Sequence, residues 1–135
     1  MIKFNVKTHS RSEFLDITQE VNNAMRQSGV SDGICLVFVP HTTAAITLNE
    51  NADPSVKTDM VNILNKISPY SRDYKHLEGN SDAHVKSSLV GPSLLLAVEG
   101  GRLQLGTWQG IQFCEFDGPR TRQVHLKIIA SSPDV

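Results

Sequence analysis

The last third of the sequence contains only strand and turn signals, and this pattern most constrains the fold. SLLLAV, RLQLG, GIQFCEF and RQVHLKIIA are apolar or alternating segments, separated by the turn signals EGGR and DGPR. In the first two-thirds, IKFNVKT, EFLDI, GICLVFV and TAAITLN predict strands, and helix signals fall between strands. This order predicts an α+β fold with a mixed or antiparallel sheet core and about three helices. The 135 residues fit a single domain over 1–135.

Capping residues and helical spacing locate the three helices. Thr18 is the predicted N-cap of a helix over about 19–28, and Ser81 is the predicted N-cap of a short helix that ends at Val90. Asp53 followed by proline predicts the start of the remaining helix, because a carboxylate caps the free N–H groups and proline is tolerated in the first turn.

Composition and charge exclude several classes of function. The formal net charge of −1 argues against nucleic-acid binding driven by bulk charge. The longest apolar run, ICLVFV, is far shorter than the roughly 20 residues that cross a bilayer. Cys35 and Cys114 lie in apolar strand-like segments, which favours buried free thiols. We therefore expect a soluble, cytoplasmic protein that binds neither membrane nor nucleic acid.

Polar side chains interrupt the structural pattern in the segment PHTTAAITLNENADP. A histidine follows a buried strand directly, where a rigid strand end can hold a side chain towards a cleft. A strand connection followed by a capped helix would explain Asp53, but it would not explain Glu50 and Asn51. The candidate functional residues of this segment are His41, Thr42, Thr43, Glu50 and Asn51.

A second polar segment, HLEGNSDAHVKSSLVG, leads into the third predicted helix. Gly79, Asn80 and Ser81 precede or begin this helix, whose free N–H groups can bind a phosphate or a carboxylate. Asp82 lies in the first turn, where the helix dipole stabilises a carboxylate. The dipole alone is enough to explain Asp82 at that position.

Three histidines are candidate metal ligands. Neutral imidazole nitrogens bind zinc, so His41, His76 and His84 could form a three-nitrogen site. The separation between His76 and His84 matches no standard local metal motif, and a histidine in a loop is more often a surface group.

Two glycines flank an aromatic residue in the segment GRLQLGTWQGI. Gly106 and Gly110 allow backbone to approach a ligand, while Trp108 offers a flat face and Gln109 an amide. A strand bulge with a packed tryptophan is the alternative interpretation. Arginines elsewhere could bind phosphate through their bidentate forks, namely Arg102, Arg120 and Arg122.

Four of these segments, HTTAAITLNENADP, HLEGNSDAHVKSSLVGPS, GGRLQLGTWQGI and EFDGPR, resemble in order the signature segments of the YjbQ-like family. Members are also described as secondary thiamine-phosphate synthases. The resemblance implies a compact α+β subunit that forms a homotrimer, with one site that gathers the histidines and the NEN segment. Carried over position by position, the site residues are His41, Glu50, Asn51, Asp53, His76, Asn80, Asp82 and His84.

The resemblance also implies a reaction, which couples a hydroxymethylpyrimidine diphosphate to a thiazole phosphate. We expect Glu50, Asn51 and Asp82 to be catalytic, and three histidines to bind the metal, His41, His76 and His84. Substrate binding is expected from Thr42, Thr43, Gly79, Asn80, Ser81, Trp108 and Gln109. Zinc suits the histidines, whereas magnesium suits a diphosphate and the carboxylates. The alternatives are a metal-dependent hydrolase of a phosphorylated or ester metabolite, and a non-catalytic trimer that binds a small anion.

Overall fold

A computed structural model describes residues 1–70, 74–76 and 78–135. Within these residues the chain forms eight strands and three helices, as expected for an α+β domain. The strands are β1 (Ile2–Lys7), β2 (Glu13–Asp16), β3 (Gly33–Phe38), β4 (Ala44–Glu50), β5 (Ser93–Glu99), β6 (Arg102–Leu103), β7 (Gln109–Glu115) and β8 (Thr121–Ala130). The helices are α1 (Thr18–Ser28), α2 (Pro54–Ile67) and α3 (Ser81–Val90).

The strands form two antiparallel sheets. The larger sheet has the order β1-β8-β3-β5-β6, and the smaller has the order β2-β7-β4. The inner face of the larger sheet packs against α1 and one face of the smaller sheet, around residues such as Val37, Ile111 and Phe113. The other face of the smaller sheet packs against α2 and α3 through Phe14 and Phe116. Strand β7 therefore lies between two apolar layers.

Two helix boundaries follow from local chemistry. The carboxylate of Asp53 accepts a hydrogen bond from the Ser55 N–H at 2.9 Å and caps α2, as predicted. Gly29 ends α1 with φ of 70°, a left-handed conformation that glycine adopts without steric cost. No helix among the residues described is long and apolar enough to span a membrane.

Two predicted N-caps are wrong by one position. Thr18 is the first residue of α1, and its N–H donates to Asp16 Oδ1 at 2.9 Å. Asn80 occupies the N-cap position of α3, so that Ser81 is its first helical residue. The Asn80 side chain makes no capping hydrogen bond: its Nδ2 donates to Asp117 Oδ2, and its Oδ1 has no hydrogen-bond partner among the described residues.

The fold leaves two different apolar faces uncovered. The outer face of the larger sheet exposes Leu95 to 69% and Ile129 to 58%. The outer surface of α2 and α3 exposes Ile67 to 62% and Leu89 to 57%. We call them the sheet face (with Ile34 and Phe38) and the helix face (with Ile63 and Val85).

Candidate functional site

Strand β4 separates the predicted site residues into two groups. The first residue of β4, Ala44, pairs with Glu115, and its last, Glu50, pairs with Gln109. At about 3.3 Å per residue, the two ends of this strand are about 20 Å apart. We call them the HTT end (residues 8–11, 41–43, 115–123 and the start of α3) and the NEN end (residues 49–51 and 108–110). One chain therefore does not gather the histidines and the NEN segment into the single site that the resemblance implies.

A buried ion pair lies at the HTT end. Arg122 Nε donates to Glu115 Oε1 at 2.8 Å, and a second bond joins the guanidinium to Oε2. Hydroxyl groups complete the cluster: that of Thr8 donates to Glu115 at 2.8 Å, and that of Thr43 accepts from Arg122 at 2.9 Å. Thr43 is thus buried in a structural network, which gives no support to the substrate-binding role predicted for it, whereas Thr42 is exposed.

The environment of Glu115 stabilises its ionised form. Burial alone raises the pKa of a carboxyl group, but the hydrogen bonds from Arg122, the Asp117 N–H and Thr8 outweigh it. The pKa of Glu115 therefore lies below its ordinary value. The carboxylate is charged at neutral pH, and it joins β7 to Arg122 on β8 and to Thr8, the residue after β1.

His41 also belongs to the HTT end, where its ring is half-buried. The backbone N–H of Gln123 donates to His41 Nε2 at 2.9 Å. Burial lowers the pKa of His41, and the charge of Arg122 lowers it further. The lone pair of Nε2 is engaged by the backbone, so this nitrogen is not free to bind a metal ion.

Asp82 connects α3 to two cations. Its Oδ1 accepts from Arg11 at 3.0 Å, and its Oδ2 accepts from Lys86 at 2.9 Å. Lys86 also donates to Asn65 Oδ1 at 2.7 Å, and its side chain is only 1% exposed. Because both carboxylate oxygens bind cations, Asp82 has a structural role in this arrangement. The catalytic and magnesium-binding roles predicted for Asp82 find no support in it.

Asp117 extends this network to the DGPR turn. Its carboxylate accepts from Asn80 at 2.9 Å, from Arg120 at 2.9 Å and from Arg11 at 3.3 Å. Asn80 thus joins the start of α3 to the turn between β7 and β8. The outer members reach solvent, since the side chains of Arg11 and Arg120 are 40% and 53% exposed. Gly79 is exposed and Ser81 half-buried beside them.

Two members of this network, Arg11 and Lys86, are not among the residues that the sequence motifs indicate. Arg11 lies in the short segment HSRSE, which has no motif of its own, and Lys86 has the spacing of an ordinary helical i,i+4 ion pair with Asp82. Asp117 was visible only as part of a turn signal. Distances of 71 and 106 residues along the chain separate Arg11 from its two acidic partners.

Two of the three predicted metal ligands are neighbours. The ring centroids of His76 and His84 lie 5.3 Å apart, nearly perpendicular at 87°. His76 Nε2 is 3.8 Å from Glu78 Oε2. Among the residues that the structure describes, no three histidine, cysteine, aspartate or glutamate side chains are arranged to hold a metal ion. The three-histidine zinc site is therefore not formed within one chain.

The NEN end is tightly packed. Asn51 Nδ2 donates to Asp16 Oδ2 at 2.6 Å, and Gln112 Nε2 donates to the Glu50 carbonyl at 2.8 Å. The Asn51 side chain fills the space above Gly110, where a Cβ would lie 2.6 Å from Asn51 Cγ. This contact explains the glycine. Asn51 is thus held by packing and by the hydrogen bond from its Nδ2, whereas its Oδ1 is buried and has no hydrogen-bond partner among the described residues. Glu50 and Asn51 are both half-buried, and Asn49 is exposed.

Trp108 lies in the turn before β7. Its ring is 65% exposed, so it is not packed in the core, and it remains available to a ligand. Gln109 closes the same turn, since its Oε1 accepts from the Gly106 N–H at 2.8 Å. The two predicted ligand-binding residues differ here: Trp108 is free to contact a ligand, whereas Gln109 has a structural partner.

Comparison with known proteins identifies the family. Residues 2–131 match the family model described as UPF0047 protein YjbQ-like. The chain belongs to this family. It is 54% identical to the UPF0047 protein MJ1081 of Methanocaldococcus jannaschii, covering 96% of this chain and 94% of the relative. It is 52% identical to the UPF0047 protein YugU of Bacillus subtilis, covering 92% and 95%.

A solved relative has the same fold. The crystal structure of an uncharacterized conserved protein of this family from Clostridium acetobutylicum is 56% identical, with a TM-score of 0.93, and the match covers 96% of this chain and 100% of that one. The segments that carry the resemblance occupy different places in this fold. HTT, NSDAH and EFDGPR meet at the HTT end, while NEN and GTWQGI meet at the NEN end.

Proposed function

We propose that the chain is an enzyme that binds the phosphate groups of its substrate at the HTT end. The observation that carries this proposal is the junction between the start of α3 and the DGPR turn. There the side chains of Arg11 and Arg120 are partly exposed beside the N-terminus of a ten-residue helix. Guanidinium groups and the N–H groups of a first helical turn both bind phosphate oxygens.

The reaction that we propose is the one implied by the family resemblance, a thiamine-phosphate synthase-like transfer. The bond between the hydroxymethyl carbon and the diphosphate oxygen breaks, the thiazole nitrogen bonds to that carbon, and diphosphate leaves with the electron pair. Negative charge develops on the leaving oxygen. Arg11, Arg120 and the N–H groups near Ser81 are the donors that can stabilise it. No proton transfer is required at the carbon centre.

The neighbouring histidines can assist the same leaving group. His76 and His84 lie in the loop before α3 and in its first turn, with their rings in edge-to-face contact. An imidazole ring can act as a general acid, so either histidine can donate a proton to a departing diphosphate. Their position beside the start of α3 supports this role.

A divalent metal ion fits the substrate better than it fits the side chains. Within the described part of one chain no cluster of three ligands exists, and both oxygens of Asp82 are bound to cations. Magnesium binds phosphate oxygens and water readily, with few protein ligands. We propose that magnesium enters as the complex of the diphosphate substrate.

We also propose that the enzyme is a homotrimer. The sheet face and the helix face are both apolar and differ from each other, which suits head-to-tail packing around a closed ring. Leu95→Glu on the sheet face is expected to convert a trimer to monomers, as measured by light scattering. Glu99→Gln, at an exposed position of the same strand, is the control. A Leu95→Glu protein that keeps the wild-type mass would exclude this interface.

One observation favours a different enzyme class. The rings of His76 and His84 are neighbours, and two imidazoles are ligands that suit zinc and an activated water. A ligand from a second copy would complete such a site and give a metal-dependent hydrolase. A trimer that binds a small anion without turnover is the non-enzymatic possibility. The buried free thiols of Cys35 and Cys114 support the predicted cytoplasmic location in all cases.

Turnover separates these functions. The purified protein is incubated with hydroxymethylpyrimidine diphosphate, thiazole phosphate and magnesium, and both thiamine phosphate and diphosphate are measured. The transferase is expected to form them in equal amounts, and His84→Gln to slow both. Glu20→Gln, at an exposed position of α1, serves as the control variant. Phosphate or ester hydrolysis without thiamine phosphate would identify the hydrolase, and binding without either product would identify the anion binder.

A further inference from the structure

The hydrogen bond to His41 fixes which ring nitrogen carries the proton. A backbone N–H can only donate, and that of Gln123 donates to His41 Nε2 at 2.9 Å. Nε2 must therefore be the unprotonated nitrogen of a neutral ring, and the proton lies on Nδ1. We infer that His41 is a fixed, neutral hydrogen-bond donor that presents its Nδ1–H to a phosphate oxygen of the substrate, and that it does not bind a metal ion.

The strand geometry explains why the ring is held in this way. Phe38, the last residue of β3, pairs with His125 on β8. Gln123 lies two residues earlier on β8. At that position β3 has already ended, so no β3 residue pairs with Gln123. The His41 ring accepts the hydrogen bond of the Gln123 N–H and so continues the hydrogen bonding of β8 beyond the end of β3. The backbone of β8 thereby orients the imidazole.

The charged groups around the ring favour the neutral form. Arg122 and His125 are the basic groups that act on the ring, and Glu115 is the acidic one. The carboxylate of Glu115 is already bound to Arg122 and to Thr8. A protonated ring would place an Nε2–H against the N–H of Gln123, with two donors facing each other. The Gln123 contact and the neutral form thus require each other.

A neutral donor suits a phosphate that other residues already hold. Arg11 and Arg120 supply positive charge at the HTT end, and a further cation is not needed to orient one oxygen. The Nδ1–H can add a directional hydrogen bond without a further charge. The identity of the acceptor rests on the proposed function, whereas the position of the ring proton does not.

The test is long-range ¹H–¹⁵N NMR of the histidine rings in the full-length protein. We expect His41 to show a protonated Nδ1 and an unprotonated Nε2 at pH 7.5. Inorganic diphosphate is expected to shift the Nδ1 signal, and added zinc is expected to leave both His41 nitrogens unchanged. A protonated Nε2, a zinc-induced shift of His41 or an Nδ1 that does not respond to diphosphate would each overturn the inference.

Two substitutions separate the two ring nitrogens. Asparagine places an amide N–H₂ near the position of Nδ1, whereas glutamine reaches the position of Nε2 and can still accept from Gln123. We expect His41→Gln to weaken diphosphate binding about tenfold, as for loss of a hydrogen bond to a charged group. His41→Asn is expected to stay within about threefold of wild type by the same reasoning. His9→Asn, at an exposed position, is the control.

The outcomes distinguish this inference from the proposed transferase. Equal losses in His41→Gln and His41→Asn, or none in either, would contradict a donor at Nδ1. If the protein shows the predicted ring proton and the diphosphate response but forms no thiamine phosphate, the inference about His41 stands and the proposed transferase activity is wrong. If the protein forms thiamine phosphate but the His41 Nδ1 signal does not respond to diphosphate, only the inference about His41 is wrong.

Discussion

The two ion networks of the HTT end differ in how much solvent reaches them. The Glu115–Arg122 pair is sealed between the sheets, with side chains 0% and 5% exposed. The network at the start of α3 runs from the buried Asp82–Lys86 pair outward to Arg11 and Arg120, which are partly exposed. A sealed pair can only hold strands together, whereas exposed members can exchange a carboxylate for a ligand. We therefore assign a structural role to the Glu115–Arg122 pair and a binding role to the exposed members of the other network, Arg11 and Arg120.

The energies expected for the two kinds of pair support this division. Removing one partner of a buried pair costs about 3–5 kcal/mol, because a charge is left without compensation in a poorly solvated place. An exposed pair contributes about 0.2–1 kcal/mol. Substitutions in the sealed network should thus change stability, and substitutions at the exposed rim should change binding with little effect on stability.

The largest expected effect is that of Arg122→Met. It leaves Glu115 buried without its cation, so the free energy of unfolding should fall by about 3–5 kcal/mol in urea denaturation. Arg120→Met is the matched control, since its side chain is 53% exposed and a loss below about 1 kcal/mol is expected. Equal losses in the two variants would contradict the distinction between a sealed and an open network.

A smaller loss is expected for Lys86→Met. The substitution removes one cation from Asp82, but Arg11 continues to bind Oδ1 of that carboxylate. We expect the free energy of unfolding to fall by about 1–3 kcal/mol, the cost of an unpaired buried polar group. The comparison is with Lys66→Met on an exposed position of α2. No difference between the two variants would show that the buried end of this network contributes nothing to stability.

Acid should weaken the sealed network. The pKa of Glu115 in the folded protein is below its ordinary value of 4.5. Such a group contributes stability above its unfolded-state pKa, and this contribution is lost as the pH falls below 4.5 and through the folded-state pKa. The free energy of unfolding of wild type should therefore decrease between pH 5 and pH 3. In Arg122→Met the part of this slope due to Glu115 should be smaller, and an unchanged slope would exclude Glu115 as its source.

Much of the fold could be predicted from the sequence, because its signals are local. The alternation of Ile2, Phe4 and Val6 predicts β1, and Asp53 with its following proline predicts the start of α2. The cap of α3 is different: Ser81 has the right chemistry for an N-cap, but Asn80 takes that position while its side chain binds a distant aspartate. Asn and Ser are both preferred N-cap residues, so the local signal did not decide between the two neighbouring positions.

The candidate site was less predictable, because its geometry depends on contacts between distant segments. Nothing near Arg11 in the chain indicates that it joins Asp82 to Asp117. Spacing also cannot show that His41 Nε2 faces a backbone N–H, and this contact decides whether the ring can bind a metal. Asn51 is a third case, since only the structure shows that it packs over a glycine at the end of the sheet.

Diphosphate binding measured by isothermal titration calorimetry tests the central claim most directly, namely that the exposed arginines of the HTT end bind the substrate's phosphates. Wild type is compared with Arg11→Gln, Arg120→Gln and a control, Arg26→Gln, at an exposed position of α1. We expect wild type and the control to bind equally, and the two HTT-end variants to bind about tenfold more weakly while their unfolding midpoints remain close to wild type. Equal affinity in all four proteins would contradict the account.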